Sequence, residues 1–280
     1  MQPKSVWGVI ALLGVVAAFL LPAVVLAVPV AASTHVSLAR ESPSVYGQPG
    51  QYLSYNWAGY AAFDQTNQSV THVSGTWIEP AVTCPTVGTS YAAFWVGIDG
   101  FSTDAVEQDG SLAYCHAGVA SYSAWWELFP TNAIQPINMT VSAGDTMSGS
   151  VTYHSAHSMF TMTVTDVTTG ASFSITAGQA PRYSGNPEEN SAECIIERPA
   201  EISHGNEMLL HLADFGNVTF KSCEATVGGT SGGIGTFSPA AILYMVSQKS
   251  TDTHFIYLAS PGGPINAVTW SFTTAWQGSH

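Results

Sequence analysis

From Ser54 onward, no long segment of the chain places apolar residues at the three- to four-residue interval of an amphipathic helix. What recurs instead is alternation. Short runs rich in Val, Thr, Ser, Phe, Tyr and Trp are separated by turn-forming clusters such as Asn186-Pro187 and Pro261-Gly262-Gly263-Pro264. Strands are predicted over Val70–Ile78, Ala92–Ile98, Ala117–Phe129, Ile137–Val141, Met147–Tyr153 and Met159–Asp166. Further strands are predicted over Ala171–Ala177, Ala192–Ile196, Val218–Val227, Ala241–Ser247, Phe255–Ala259 and Ala267–Thr274. The best helical candidate, Glu207–Asp214, is short. Many strands with few helices must cover one sheet with another. The expected fold is all-β, an antiparallel double-sheet β-sandwich of the concanavalin or lectin-like jelly-roll type. Residues 53–280 show no internal break and are expected to form one domain.

The N-terminus sets the compartment. After Lys4, no Lys, Arg, Asp or Glu occurs from Ser5 to Ala39, and the stretch Val6 to Ala32 is mostly apolar. Val30 and Ala32 fit the small-residue pattern before a cleavage site, so residues 1–32 are expected to be a signal peptide cut before Ser33. The rival reading is an uncleaved anchor, since the run reaches the roughly 20 residues that span a bilayer. Either way the rest of the chain is exported, with no membrane contact once the signal is removed. Residues 33–52, turn-rich with Glu41, Pro43, Gly47, Pro49 and Gly50, read as a propeptide or linker.

Export gives the four cysteines a meaning: two disulfides, for which three pairings exist. Cys84–Cys115 with Cys194–Cys223 is preferred, because each bond would staple neighbouring strands or their loop. The lack of any Cys-x-x-Cys spacing disfavours a metal site. Acidic residues outnumber basic ones 19 to 6. Too few cations remain to neutralise phosphates, which excludes nucleic acid as a partner. Charged residues are only 9% of the chain. Little stability can then depend on ion pairs, a property suited to acid. Nothing points to an obligate partner, so a monomer is expected.

Several candidates for chemistry fail on context. Gly229-Thr-Ser-Gly-Gly matches a nucleophile elbow, but Gly232-Gly233-Ile-Gly235 follows it where a helix must start. It reads as a glycine-rich loop between strands. His204, Glu207 and His211 would need a helix to meet at a metal, and the His-Glu-x-x-His order is absent. Carboxylates are stronger candidates, because exported β-sandwiches often cleave sugars with two of them. Asp99, Glu107, Glu127, Glu193 and Glu197 all lie in or beside aromatic-rich strands.

A set of segments narrows the choice. In order these are Asn56-Trp57-Ala58-Gly59-Tyr60, Gly75-Thr76-Trp77-Ile78-Glu79-Pro80, Phe94-Trp95-Val96-Gly97-Ile98-Asp99-Gly100 and Val106-Glu107-Gln108-Asp109-Gly110. Ala124-Trp125-Trp126-Glu127-Leu128-Phe129-Pro130, Ala192-Glu193-Cys194-Ile195-Ile196-Glu197 and Leu212-Ala213-Asp214-Phe215-Gly216-Asn217-Val218 follow. Each is weak alone; together, over nearly all of residues 54–227, they resemble the glutamic peptidases, or eqolisins.

That resemblance implies a double-sheet sandwich and a catalytic pair, Glu193 and Gln108. Glutamate would take a proton from the attacking water and return it to the leaving nitrogen. Glutamine, which both accepts and donates, would hold the water and stabilise the oxyanion. With an unshifted pKa of about 4.3, such a base would work in acid, secreted and without metal or cofactor. Asp99 and Glu127 would support the pair, and Trp57, Trp95, Trp125 and Phe129 would line a cleft for polypeptide substrates. The chain departs from the family at Ser123, where an aspartate is usual, and at Trp126 and Phe129, where tyrosines are common. Those two substitutions remove hydroxyl groups expected to contact substrate. Cys194 replaces the usual aromatic residue beside the glutamate. The alternative reading is an exported sandwich that binds or cleaves carbohydrate.

Overall fold

The structure, a computed structural model, describes residues 35–37, 44–45, 50–179, 187–203, 206–248, 255–266 and 270–278. The expected signal peptide, its cleavage point and His204 lie outside these residues. Of the expected propeptide, only 35–37, 44–45 and 50–52 lie within them.

Fourteen strands build the sandwich among the described residues. In chain order they are β1 Trp57–Phe63, β2 Val70–Ile78, β3 Thr89–Ile98, β4 Val106–His116, β5 Val119–Phe129, β6 Gln135–Thr140 and β7 Thr146–His154. There follow β8 Met159–Asp166, β9 Ala171–Ala177, β10 Ser191–Glu197, β11 Asn217–Val227, β12 Ala240–Gln248, β13 Phe255–Asn266 and β14 Ser271–Trp276. One sheet runs β6-β5-β4-β3-β10-β1-β12. The other runs β9-β8-β7-β2-β11-β14-β13. All these pairings are antiparallel. A pairing of β12 with β13 joins the two layers along one edge, and Gln51–Ser54 adds to β12 in parallel.

The expected sandwich is therefore present, with local corrections. Glu207–Asp214 is not a helix: Asn206–Leu209 forms a strand paired with Ala200–Ser203. The helix that would have been needed to bring Glu207 and His211 together at a metal is absent. Pro261-Gly262-Gly263-Pro264 lies inside β13, where the ladder tolerates it through a break in register between Gly262 and Asn266. The glycines after Val227 turn a hairpin, with φ of 57° at Gly228 and 77° at Gly229, ahead of strand Thr230–Gly233. Ala117 belongs to a turn rather than to β5. Strand β4 was not foreseen at all.

Alternation divides the first sheet into two buried faces. Ala58, Tyr60, Phe94, Val96, Ile98, Ala192, Cys194 and Ile196 face the second sheet, meeting Trp77, Phe160, Phe215 and Phe220 in the main core. Each large side chain so buried contributes about 1.5–3 kcal/mol. Both disulfides adopt the preferred pairing. Cys194–Cys223 links β10 in one sheet to β11 in the other. Cys84–Cys115 ties the loop before β3 to the end of β4.

Carboxyl groups are buried between the sheets, Asp109 and Glu79 among them. Asp109 of β4 accepts the backbone N–H of Thr163 in β8 at 2.8 Å. Gly149 of β7 is required opposite it, because a Cβ there would lie 2.5 Å from Asp109 Oδ1. Glu79 accepts hydrogen bonds from Ser111 of β4 and, at 3.4 Å, from the Trp77 indole. Burial holds Asp109 well above the usual carboxylate range and pushes Glu79 up to about 7.

Raised folded-state values tie stability to acid. The contribution from Glu79 is complete below its unfolded value of 4.5 and is lost as pH rises through about 7. For this group the loss is on the order of 3 kcal/mol. Melting temperature is accordingly expected to fall continuously across that window, and Glu79→Gln to flatten part of the fall. A melting temperature that does not change with pH there would refute the account.

Candidate active site

The register of four strands assembles one row of side chains. Glu193 of β10 pairs with Gly97 of β3, Gly97 with Gln108 of β4, and Gln108 with Glu127 of β5. Directly paired residues project from the same face. The row therefore lies on the face of the first sheet turned away from the second. Neighbouring strands are about 4.8 Å apart, so Glu193 and Gln108 stand roughly 9–10 Å apart at Cα. Glycine keeps the interval free: a Cβ at Gly97 would lie 2.8 Å from Trp95 Cζ3 and 3.2 Å from Gln108 Cβ.

A tight turn sets half of this register. Ala117 and Gly118 have φ of 48° and 84°, the left-handed pair of a two-residue hairpin whose twist suits the flanking strands. They close β4 onto β5 with His116 opposite Val119, which brings Gln108 opposite Glu127. Gln108 Nε2 donates to Glu127 Oε2 at 2.8 Å. One amide hydrogen is thereby engaged, while Oε1 is buried without a protein partner.

Glu193 is buried with neither oxygen in a well-formed hydrogen bond, and the nearby Ser191 hydroxyl offsets only part of the effect of burial. Burial drives its pKa well above the usual value, and the negative charge of Asp99 adds to the rise. The expectation of an unshifted glutamate is thus corrected, because the strand buries the group on both sides.

Asp99 serves the row from outside. At φ 69° it follows β3 and accepts the backbone N–H groups of Glu188, Glu189 and Asn190 at 2.9, 2.9 and 3.1 Å. It thus fastens the segment leading into β10. Burial still raises its pKa to about 6 against these donors. Glu107 and Asp109, on either side of Gln108, point into the main core. Glu107 accepts from Gln179 Nε2 at 2.6 Å, and the same amide reaches Phe129 O at 2.7 Å. Gln179 was not marked by any sequence signal.

The aromatic residues flank the row. Ile195, Trp95, Gly110 and Trp125 form the next row along the strands, and Glu197, Ala93, Leu112 and Ser123 the one after. Trp57, Trp95, Trp125 and, partly buried, Phe129 pack into one apolar cluster on this outer face. All three tryptophans are buried. Trp126 lies on the opposite face, against the main core, so a hydroxyl there would not reach the row. A cavity of about 420 Å³ at the far end of β3, lined by Ser90, Leu212 and Trp276, is separate from these residues.

The two-layer β-sandwich is the fold of solved glutamic peptidases. The chain belongs to the Peptidase A4 family, whose profile matches residues 55–259. It is 30% identical to Aspergillopepsin-2 from Aspergillus niger over 213 residues, covering 69% of this chain and 72% of that protein. Scytalido-glutamic peptidase bound to a peptide-based transition-state analogue superposes with a TM-score of 0.63 at 25% identity, over 80% of this chain and 99% of that one. Aspergilloglutamic peptidase from Aspergillus niger gives 0.52 at 30% identity, over 67% and 99%. The protein is a glutamic-type peptidase, a hydrolase acting on polypeptides.

The free interval at Gly97 is the most easily tested element of the row. Gly97→Ala must displace Trp95 or Gln108, and is expected to lower kcat/KM at least about tenfold. Steady-state kinetics on folded variant would measure this; an unchanged kcat/KM would mean that the gap is not needed.

Proposed function

We propose that the protein is an exported acid endopeptidase in which Glu193 and Gln108 activate water and stabilise the oxyanion. The observation that carries this reading is the row itself, a carboxyl and a carboxamide facing one interval across Gly97. With its Nε2 pinned by Glu127, Gln108 presents Oε1 and a second amide hydrogen in a fixed direction. Water in the interval is held by the Gln108 oxygen and loses a proton to ionised Glu193 as it attacks the scissile carbonyl. The remaining amide hydrogen meets the developing oxyanion. Protonated Glu193 then gives its proton to the leaving nitrogen, and C–N cleavage regenerates the carboxylate.

The geometry disfavours the sugar-cleaving alternative. Glu127 stands three strand spacings from Glu193, roughly 14 Å at Cα. Glu127 is also committed to Gln108.

Secretion rests on the N-terminal pattern together with the two disulfides, which suit an oxidising compartment. We read residues 33–52 as a docked prosegment, because His35–Ser37 pairs with Ala200–Ser203 and Ser44–Val45 pairs with Tyr52–Leu53. The mature enzyme would act as a monomer.

Digestion of a denatured protein between about pH 2 and pH 7 tests the mechanism. Pepstatin and a chelator are expected to leave cleavage intact. Gln108→Ala is expected to cost about 10²–10³-fold in kcat, and Glu193→Gln about 10²–10⁴-fold. Because burial raises Glu193, the acid limb of kcat/KM should have its midpoint above 4.5. Undiminished cleavage by folded Glu193→Gln would rule the pair out.

A further inference from the structure

Glu197 is a buried carboxyl on the outer face that the proposed reaction does not use. It lies on β10 two alternations beyond Glu193 and is fully buried. Its two oxygens face Trp95 and Asn56, with the Trp57 indole of the paired strand also close enough to favour the ionised form. Trp95 Nε1 donates to Oε2 at 2.9 Å, and Asn56 Nδ2 donates to Oε1 at 3.1 Å. Asn56 is held in turn by Ser54, whose hydroxyl donates to Asn56 Oδ1 at 3.0 Å.

The significance lies at the other end of the indole. Nε1 and Cζ3 are on opposite rings of one rigid bicycle. While Nε1 reaches Glu197, Cζ3 stands 2.8 Å from the position a Cβ would take on Gly97. The six-membered ring therefore occupies the floor of the interval between Glu193 and Gln108. Its room on the β4 side comes from Gly110, where a Cβ would lie 2.8 Å from Trp95 Cβ. Trp57 meets it edge-on, with ring centroids 5.0 Å apart and planes at 77°. Packing alone restricts the ring, but only the hydrogen bond to Glu197 fixes which end of the indole faces the row.

We propose that Glu197 is a positioning residue for the peptidase reaction, setting the Trp95 indole as the floor on which water and scissile bond lie between Glu193 and Gln108. This rests on the catalytic roles assigned above. A carboxyl suits the task because it offers an acceptor to each of two buried N–H donors. Leucine in its place would leave both donors unsatisfied and the ring free to tilt. The ring would then crowd Gln108 or withdraw from Gly97, and the error would appear at the reacting atoms.

The test uses the full chain, with kcat and KM measured separately on a peptide substrate. Folding is checked by circular dichroism, and the Trp95 indole N–H is followed by NMR. Glu197→Leu is expected to move that resonance and lower kcat about 10–100-fold, with little change in KM. Trp95→Phe should act in the same direction. The double variant should be no worse than the poorer single one, since both remove one interaction. A merely structural role would lower stability but leave kcat of the folded enzyme unchanged. Folded Glu197→Leu with kcat within about twofold of wild type, or additive losses in the cycle, would overturn the proposal. If Glu197→Leu does not fold, Glu197→Gln decides. It keeps one acceptor, so it should retain the fold with a partial loss of kcat, and an undiminished kcat overturns the proposal equally. An inert wild type would sink the peptidase mechanism itself; a shifted indole resonance in Glu197→Leu would then mark the contact as structural only.

Discussion

Everything at the site depends on strand register, because side chains alternate with a period of two. A slip of one residue between β3 and either neighbour would send Glu193 and Gln108 to opposite faces of the sheet. Two constraints of different kinds prevent it. The Ala117-Gly118 turn closes β4 on β5 with a fixed pairing. On the other flank, Asp99 gathers three backbone N–H groups from the segment entering β10. A slip would also draw Glu107 and Asp109 out of the core and leave Thr163 N–H without its acceptor. Residues that look peripheral to the chemistry thus determine whether it exists.

The second dependence is on protonation. Glu79, Asp99, Glu107, Asp109, Glu193 and Glu197 are all buried with pKa values raised mainly by desolvation. Among the described residues, no lysine or arginine acts on any of them to neutralise it as an ion. A neutral carboxylic acid, in contrast, is an ordinary polar group that one or two hydrogen bonds can satisfy. The buried carboxyls are thus better accommodated as neutral acids than as ions, which agrees with the low charge content.

The sandwich was legible because most strands carry apolar residues on one face and Thr or Ser on the other. Strand β4 was not, although it bears Gln108. Its stretch Glu107-Gln108-Asp109-Gly110-Ser111 reads as a loop, since alternation rules assume that buried means apolar. Here both faces are buried and polar, Glu107 and Asp109 toward the core and Gln108 toward the outer row. The proline-glycine cluster at residues 261–264 misled in the opposite sense, because β13 absorbs it at a register break. Resemblance to a family, rather than periodicity, singled out Glu193 and Gln108. Nothing in the sequence marked Gly97 as the gap between them, or Gln179 as the partner of Glu107; both follow only from pairings distant along the chain.

Activity and stability in this fold draw on one cause, and they pull against each other. Burial makes Glu193 a stronger base than an exposed glutamate, but it also keeps the group protonated until pH rises above its ordinary range. Raising pH to ionise Glu193 also draws Glu79, held at about 7 by burial, toward an ionised form that is poorly solvated between the layers. The usable window is bounded below by the base and above by the scaffold. A substitution between the sheets, away from the row, shifts only one boundary. At Glu79, an amide keeps the shape of the acid and cannot ionise. Such a change leaves Glu193, Gln108 and Trp95 untouched while removing one proton from the scaffold's account, so it separates the two limbs that burial had joined.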